Sequence, residues 1–294
     1  MLEKTEKASS IAQEVARFSK EITKPGAKAL DIAELLEAKI RELGAFPAFP
    51  INISINDVAA HFTPDVDDPL VIGDKDLVKI DIGAHIDGFI GDTAISIDFS
   101  NENGKLIEAA EKALDAAICT VRAGAKTSEI GAEIETAIKS YGFKPIENLT
   151  GHAIKQYDLH AGCEIPNISK QGGEEIKEGD VIAIEPFATN GEGRVSEGSV
   201  VNIFSLIEKK PARMREGRRV LNYVENNFQT LPFAERWLRK EFNSKLLLHA
   251  ALKELIVIGS IRQYPILKEV GKGLISQAEA TILVEKDSAR VLTK

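Results

Sequence analysis

The feature that most constrains this chain is that part of it occurs twice. The segment GAKALDIAELLEAKIRELGAFP, from Gly26, and the segment GAKTSEIGAEIETAIKSYGFKP, from Gly124, align without a gap. Gly26, Ala27, Lys28, Ile32, Glu37, Ile40, Gly44 and Pro47 meet identical partners, and Ala33 and Leu36 meet Gly131 and Ile134. Each copy sets apolar residues at helical spacing, then a glycine suited to a left-handed C-terminal position, then proline. A second echo follows in the same order, where DLVKID (Asp76 to Asp81) resembles DVIAIE (Asp180 to Glu185), each an alternating strand ending in a carboxylate. The chain is therefore expected to fold as two related α+β halves, each offering an acid from a strand.

The first half continues KIDIGAHIDGFIGDTAISID, two alternating runs about a turn, which reads as a hairpin centred on Ile86 and Asp87 with Asp92 on its return strand. The matching return strand of the second half is ATILVEK, after Glu279, far downstream of Glu185. Between them lie a helical run from Arg218 to Asn227 and the helical segments LPFAERWLRKEF and KLLLHAALKELIVIGSI. This intervening stretch reads as a small helical subdomain, residues 205–265, inserted into a main domain of residues 1–204 and 266–294.

At 294 residues the chain can bury a substantial core without covalent staples. Cys119 and Cys163 form no CxxC or Cys/His spacing, which fits a reducing compartment and argues against a disulfide framework or zinc knuckle. The N-terminus is charged and amphipathic and no stretch reaches membrane-spanning length, so a cytoplasmic protein without membrane contact is expected. A formal net charge of −8 excludes a chain-wide nucleic-acid surface. One basic stretch, Lys209 to Lys240, runs against that trend, and it reads first as a solvated face of the subdomain and second as a contact with RNA or the ribosome.

With the turn at Ile86 and Asp87, Asp81 and Asp92 would oppose one another on one face, their Cβ atoms about 5 Å apart, where like charges repel. Asp81 sits in VKIDIG and Asp92 in FIGDTAISI, core-like contexts in which an unpaired carboxylate is costly. Glu185 in VIAIEPF and Glu279 in AEATILV have the same character. Four such acids call for cations, and oxygen-rich ligation with one imidazole suits cobalt, manganese, iron or zinc. Of the five histidines, His85 beside the turn and His249 within LLLHAAL read as structural. His61 and His160 differ, because the repeat offset places them within one residue of equivalent positions, on opposite sides of a shared cleft.

At these residues the sequence resembles the type II methionine aminopeptidases, in a short, archaeal-like form without an N-terminal extension. The likeness covers nearly the whole chain through FPAFPINISINDVAAHFTP, VKIDIGAHIDGFIGDTA, NLTGHAI, LHAG, AIEPFAT, TLPFAERWL, YPIL and EATILVEKD. It implies the pita-bread fold, an α+β architecture of two pseudo-symmetric halves around a metal-bearing cleft, with a small helical insert in the second half. It implies that Asp81, Asp92, His152, Glu185 and Glu279 bind two divalent metal ions. Asp81 would hold one ion with both oxygens, Asp92 and Glu279 would bridge the pair, and His152 and Glu185 would complete the other. Glu185 would act as general base, His160 would stabilise the carbonyl oxygen as it becomes negative, and His61 would contact the substrate backbone. Phe49, Leu159, Phe187 and Tyr264 would line the pocket for methionine, whose polarisable thioether suits such walls. The implied partners are the N-termini of nascent polypeptides beginning with Met, with transient ribosome contact and no specific DNA, and the implied state is a monomer. One departure stands out: the family's Glu-His-Thr at the last ligand is Glu279-Ala280-Thr281 here.

Two rival functions share this ligand set or fold. A proline-directed peptidase would carry a large domain ahead of the first aspartate, whereas Asp81 arrives early, and its histidine-rich motif is absent from LTGHA. A non-catalytic ribosome- or RNA-binding relative would lack metal ligands, and all five are present here. The sequence therefore favours removal of an initiator methionine by two-metal hydrolysis of the first peptide bond.

Overall fold

The computed structural model describes residues 1–293. The first half runs α1 (Leu2–Ile22), α2 (Ala29–Glu42), β1 (Phe46–Pro47), β2 (Asn52–Ile55), β3 (Val58–Ala60), β4 (Leu77–Ile86) and β5 (Phe89–Asp98). The second opens in the same way, with α3 (Gly104–Thr120), α4 (Thr127–Ser140), β6 (Lys144–Pro145), β7 (Thr150–Ile154), β8 (Glu164–Pro166), β9 (Val181–Ile184), β10 (Phe187–Thr189) and β11 (Val195–Leu206). A mainly helical segment follows, made of α5 (Arg215–Asn227), β12 (Phe233–Ala234), α6 (Glu235–Arg239) and α7 (Lys245–Val257). The chain returns through β13 (Ile261–Glu269), β14 (Ile275–Gln277), β15 (Ala280–Val284) and β16 (Ala289–Val291).

The repeat seen in the sequence is a repeat of structure. α2 and α4 start and stop at equivalent positions, and each is followed by its left-handed glycine, Gly44 at φ 85° and Gly142 at φ 84°. The apolar stripe of each helix faces its own sheet. In the first half Ile32, Leu36 and Ile40 join Ile11 and Val15 of α1 against Val78, Ile80 and Ile82 of β4. In the second, Ile130, Ile134 and Ile138 join the alanines of α3 against Ile182, Ile184 and Ile282. Helix pairs therefore cover the outer faces of the sheets, and the inner faces meet across a cleft. None of the described helices is long and apolar enough to cross a membrane.

The hairpin departs from expectation in its register. Ile86 pairs with Phe89 across a two-residue turn, Asp87-Gly88, in which both residues have positive φ, the conformation that follows the right-handed twist of the strands and that Asp-Gly favours. Asp92 is consequently opposite Gly83, and Asp81 opposite Ala94. The two acids are diagonal neighbours rather than directly opposed. Moving the turn centre by one residue shifts the partner by two, so they still share a face. The second expected pairing is present: Ala280 pairs with Ile184, and the same register continued by one residue sets Glu279 opposite Glu185.

Between residues 205 and 265 the helices differ in one respect from the sequence reading. LPFAERWLRKEF is helical only over Glu235–Arg239, because Phe233 and Ala234 are drawn into a strand opposite Phe204 and Ile203. The ends of the stretch are paired strand, Ser205 with Arg262 and Leu206 with Ile261, and α5 to α7 pack around their own core of Val220, Val224, Trp237, Leu248 and Leu252.

The seating of α1 on the hairpin depends on Gly91, where a Cβ would lie 2.3 Å from the Ser9 Cα. Backbone cannot yield as a flexible side chain does. Gly91→Ala should destabilise the fold by about 1–3 kcal/mol, the usual scale of overpacking, and lower the melting temperature by several degrees. Calorimetry checks this, and an unchanged melting temperature would mean that α1 is not fixed there.

Candidate metal centre

Five acids and imidazoles reach one cleft from strands of both halves. Asp81 comes from β4, Asp92 from β5 and His152 from β7, while Glu185 follows β9 and Glu279 precedes β15. Together with His61, His160, Phe49, Leu159 and Tyr264 they line a single pocket. The seam between the halves runs through the ligands themselves. The Asp92 N–H donates to Thr281 Oγ1 at 2.7 Å, Thr93 Oγ1 donates to the Glu279 carbonyl at 2.8 Å, and the Glu279 N–H donates to the Ala94 carbonyl.

Hydrogen bonds do not fully satisfy these acids. Asp81 Oδ1, Asp92 Oδ1 and Glu279 Oε2 are buried without a hydrogen-bond partner, an unfavourable state for a carboxylate. Ligand atoms of Asp92, His152 and Glu279 lie within 4.8 Å of one another. His152 Nε2 stands 3.8 Å from Asp92 Oδ2 and 3.7 Å from Glu185 Oε1, too far for hydrogen bonds and suited to a shared cation. Burial pushes the Asp81 carboxyl up to about 7. Asp92, Glu185 and Glu279 are raised well above the usual range by burial first, and then Asp92 by Asp81, Glu185 by Asp81 and Asp92, and Glu279 by Asp92, Asp81 and Glu185. Burial lowers His152 to about 4, so its imidazole is neutral, as metal ligation requires. A divalent cation would satisfy all of these groups at once.

The remaining histidines surround the ligands without joining them. The His160 ring is 4.5 Å from that of His152 and stacks on Tyr264 at 6.1 Å. Part of its surface is open to solvent, yet desolvation in the cleft, followed by His152, His61 and Arg262, holds its pKa well below the ordinary value. His61 meets the edge of Tyr264 at 5.5 Å and is also kept neutral by burial. Its Nδ1 lies 3.2 Å from the Pro265 carbonyl, which can only accept, so Nδ1 carries the proton and Nε2 is left as an acceptor. His85 instead accepts the Gly88 N–H beside the hairpin turn, and His249 pairs with Glu235 outside the cleft.

One wall of the pocket is apolar. Phe49, Leu159 and Leu231 form a cluster with Ala48, Ile90 and Ile154. Gly83 makes room for this wall, since a Cβ there would lie 2.2 Å from the Phe49 ring. Phe187 does not join it. Its ring is fully buried with Ala59, Ile146, Val195 and Ile275, because β10 directs it into a satellite core behind the cleft. Asn52, Ile203 and Pro232 line the pocket without having been singled out in the sequence. For Asn52 a signal existed, a polar residue inside FPINISI, and its pairing with Asp81 in the β2–β4 register supplies the reason. Ile203 and Pro232 carried none, because an apolar residue in a strand or loop does not reveal which cavity it faces.

The model of metallopeptidase family M24 matches residues 3–208. A methionine aminopeptidase of Methanocaldococcus jannaschii is 44% identical over 99% of this chain and 98% of its own length. One of Thermococcus onnurineus is 48% identical over 98% and 97%. Among solved structures, a thermophilic Arx1 superposes with a TM-score of 0.84 at 20% identity, covering 99% of this chain and 90% of its own. A methionine aminopeptidase of Thermotoga maritima gives 0.72 at 21% identity, with 99% and 96% covered. At such identities these two structures speak for the fold alone.

The carboxylate cluster sets a pH dependence whose sign is fixed. Between the unfolded carboxylate pKa of about 4 and the raised native values, about 7 for Asp81, the native state keeps protons that the unfolded chain has released. Stability of the metal-free protein from these groups is therefore present at low pH and lost as pH rises through that window. Asp92→Asn removes one member of the cluster. In chelator, its melting temperature should gain on that of the wild type from pH 5 to pH 7.5, as scanning calorimetry can follow. A mutant melting temperature that falls relative to the wild type as pH rises would contradict the mutual repulsion.

Proposed function

The chain belongs to metallopeptidase family M24, and from that premise and its cleft we infer that it removes the N-terminal methionine from polypeptides by hydrolysing the first peptide bond. The observation that carries this reading is the convergence of Asp81, Asp92, His152, Glu185 and Glu279, with unpaired buried carboxylate oxygens, on one pocket with an apolar wall. Two ions of the cobalt, manganese, iron or zinc type held there would polarise the scissile carbonyl and lower the pKa of a shared water. In this reading Asp81, Asp92, His152, Glu185 and Glu279 would hold the ions.

The protein's own groups supply the rest. Glu185 accepts the proton of the attacking water and delivers it to the departing amine. The neutral His160 donates a hydrogen bond to the carbonyl oxygen as it gains charge. His61, with Nδ1–H directed at Pro265, offers Nε2 to an N–H of the substrate backbone. Phe49 and Leu159 receive the thioether, and Tyr264, stacked on His160, closes the side of the pocket.

The same reading takes residues 205–265 as a subdomain of the catalytic unit, and the chain as a cytoplasmic monomer acting on nascent chains. A transient ribosome contact belongs to the same reading, on the basic stretch from Lys209 to Lys240. Reconstituted with manganese or cobalt, the protein should hydrolyse Met-Ala peptides in preference to Pro-Ala peptides and lose activity reversibly to chelators. Preference for the proline peptide would reassign it to the proline-directed branch.

Two substitutions separate the histidines. His160→Ala should lower turnover by about 10²–10³, the usual effect of losing one donor to a developing oxyanion, with metal content unchanged. His249→Ala, whose ring is partly exposed outside the cleft, should leave turnover near that of the wild type. Equal loss from both would overturn these roles.

A further inference from the structure

Away from the metal ligands, the most unusual feature of the interior is a buried ion pair that joins the helical segment to the first half. Arg236 of α6 is 2% exposed and Glu37 of α2 is 3% exposed. Arg236 Nη2 bonds Glu37 Oε1, and Trp237 Nε1 donates to Glu37 Oε2 at 2.8 Å. A buried pair of this kind adds little net stability over apolar residues of the same volume, because both charges are taken out of water. Its distinguishing property is geometric, since a guanidinium held by a carboxylate presents its other N–H groups in fixed directions.

One of those directions leads to the cleft. Arg236 Nη1 donates at 2.8 Å to Thr63 Oγ1, and that hydroxyl donates in turn to the Ile51 carbonyl at 2.8 Å. Thr63 is two residues beyond His61, whose backbone has φ 65°. A non-glycine residue in the left-handed region is strained and persists only where its surroundings fix it. Three contacts fix this segment: Ile53 N–H to the Phe62 carbonyl, Asn202 Nδ2 to the Thr63 carbonyl, and Arg236 to the Thr63 side chain. Of these, the Arg236 contact is the one that comes from the helical segment.

We propose that Arg236 is a positioning residue for His61: anchored by Glu37, it ties Thr63 and thereby holds the strained turn that aims the His61 imidazole into the cleft. The proposal rests on the role given to His61 above. It explains why a charge pair, rather than an apolar contact, joins α6 to α2: it holds a hydroxyl in place, which an apolar side chain cannot do.

The test is a double-mutant cycle on metal-reconstituted protein. Glu37→Gln with Arg236→Met removes both charges while leaving an acceptor for Trp237, so that no lone charge is buried. These two changes should lower kcat/KM for Met-Ala about ten- to a hundredfold, as a displacement on the scale of 1 Å does. In a His61→Ala background the same changes should cost less than about twofold, because their target is gone. Imidazole nitrogen NMR of the metal-free protein gives a reading independent of substrate, in which the His61 Nδ1–H tautomer signature should be lost in the charge-free variant. Equal losses in both backgrounds, or an unchanged His61 signal, would overturn the proposal. Should the double variant fail to fold, Arg236→Lys, which keeps a cation against Glu37, is carried through the same cycle with the same criteria. A wild type inactive on methionyl peptides would sink the functional reading, while the NMR comparison would still decide the positioning claim.

Discussion

Four carboxylates that repel one another are the constraint around which this fold is arranged. Asp81, Asp92, Glu185 and Glu279 share one cleft, and beyond what burial alone does Asp81 raises the proton affinity of the other three, with Asp92 adding to that of Glu185 and Glu279. A structure that concentrates negative charge in this way needs rigid support, because the acids would relax their repulsion by moving apart. The support is the sheet of each half. Asp81 and Asp92 are fixed by the hairpin register, Glu185 and Glu279 by the pairing of β9 with β15, and helices on the outer faces leave those strands no freedom to separate.

The halves are joined where the repulsion is greatest. Thr281 Oγ1 both accepts from the Asp92 amide and lies 2.8 Å from the Asp92 carbonyl, and Thr93 reaches across to Glu279. The two acids assigned as bridging ligands are therefore neighbours along the seam, one from each half. Their spacing does not depend on a loop. Backbone groups of one half are satisfied by side chains of the other, so separating the halves would expose unpaired buried polar groups as well as apolar surface. Ligand geometry and cohesion of the halves rest on the same contacts, which is how a fold can carry a charge cluster that opposes it.

Much of this was legible in the sequence because it is periodic. Two helical repeats and two acid-terminated strands predict two halves, and core-like neighbours mark Asp81, Asp92, Glu185 and Glu279 as unusual acids. What was misread turned on a choice of one residue or one face. The Asp87-Gly88 turn set the hairpin register one step beyond the centre taken from alternation, and parity alone preserved the shared face. Phe187 resembled a pocket residue, but β10 directs its ring into a satellite core, and nothing local distinguishes the two sides of a three-residue strand buried throughout. The Glu37–Arg236 pair was invisible for another reason. Glu37 occurs in the repeat as an ordinary helical acid, its counterpart Glu135 pairs with Lys139 at the surface, and only the arrival of α6 turns the first copy inward.

That contrast also bears on Ala280, the residue after Glu279. Residue 280 pairs with Ile184, and its side chain lies in the core with Ile182, Ile184 and Ile282, on the face of β15 opposite to Glu279. An imidazole at that position would stand among aliphatic side chains rather than beside the ligands. The supports of Glu279 lie elsewhere: its carbonyl accepts from Thr93 and its N–H donates to Ala94, both in the first half, while Thr281, two residues on, is tied to Asp92. Each of these contacts is present with alanine at 280. The duplicated architecture thus separates two tasks along a single strand. One face of β15 packs the second half, and what fills it is a question of volume. The other side, with the seam, places the Glu279 carboxyl group beside Asp92 and within the cleft that Asp81 and Glu185 also line.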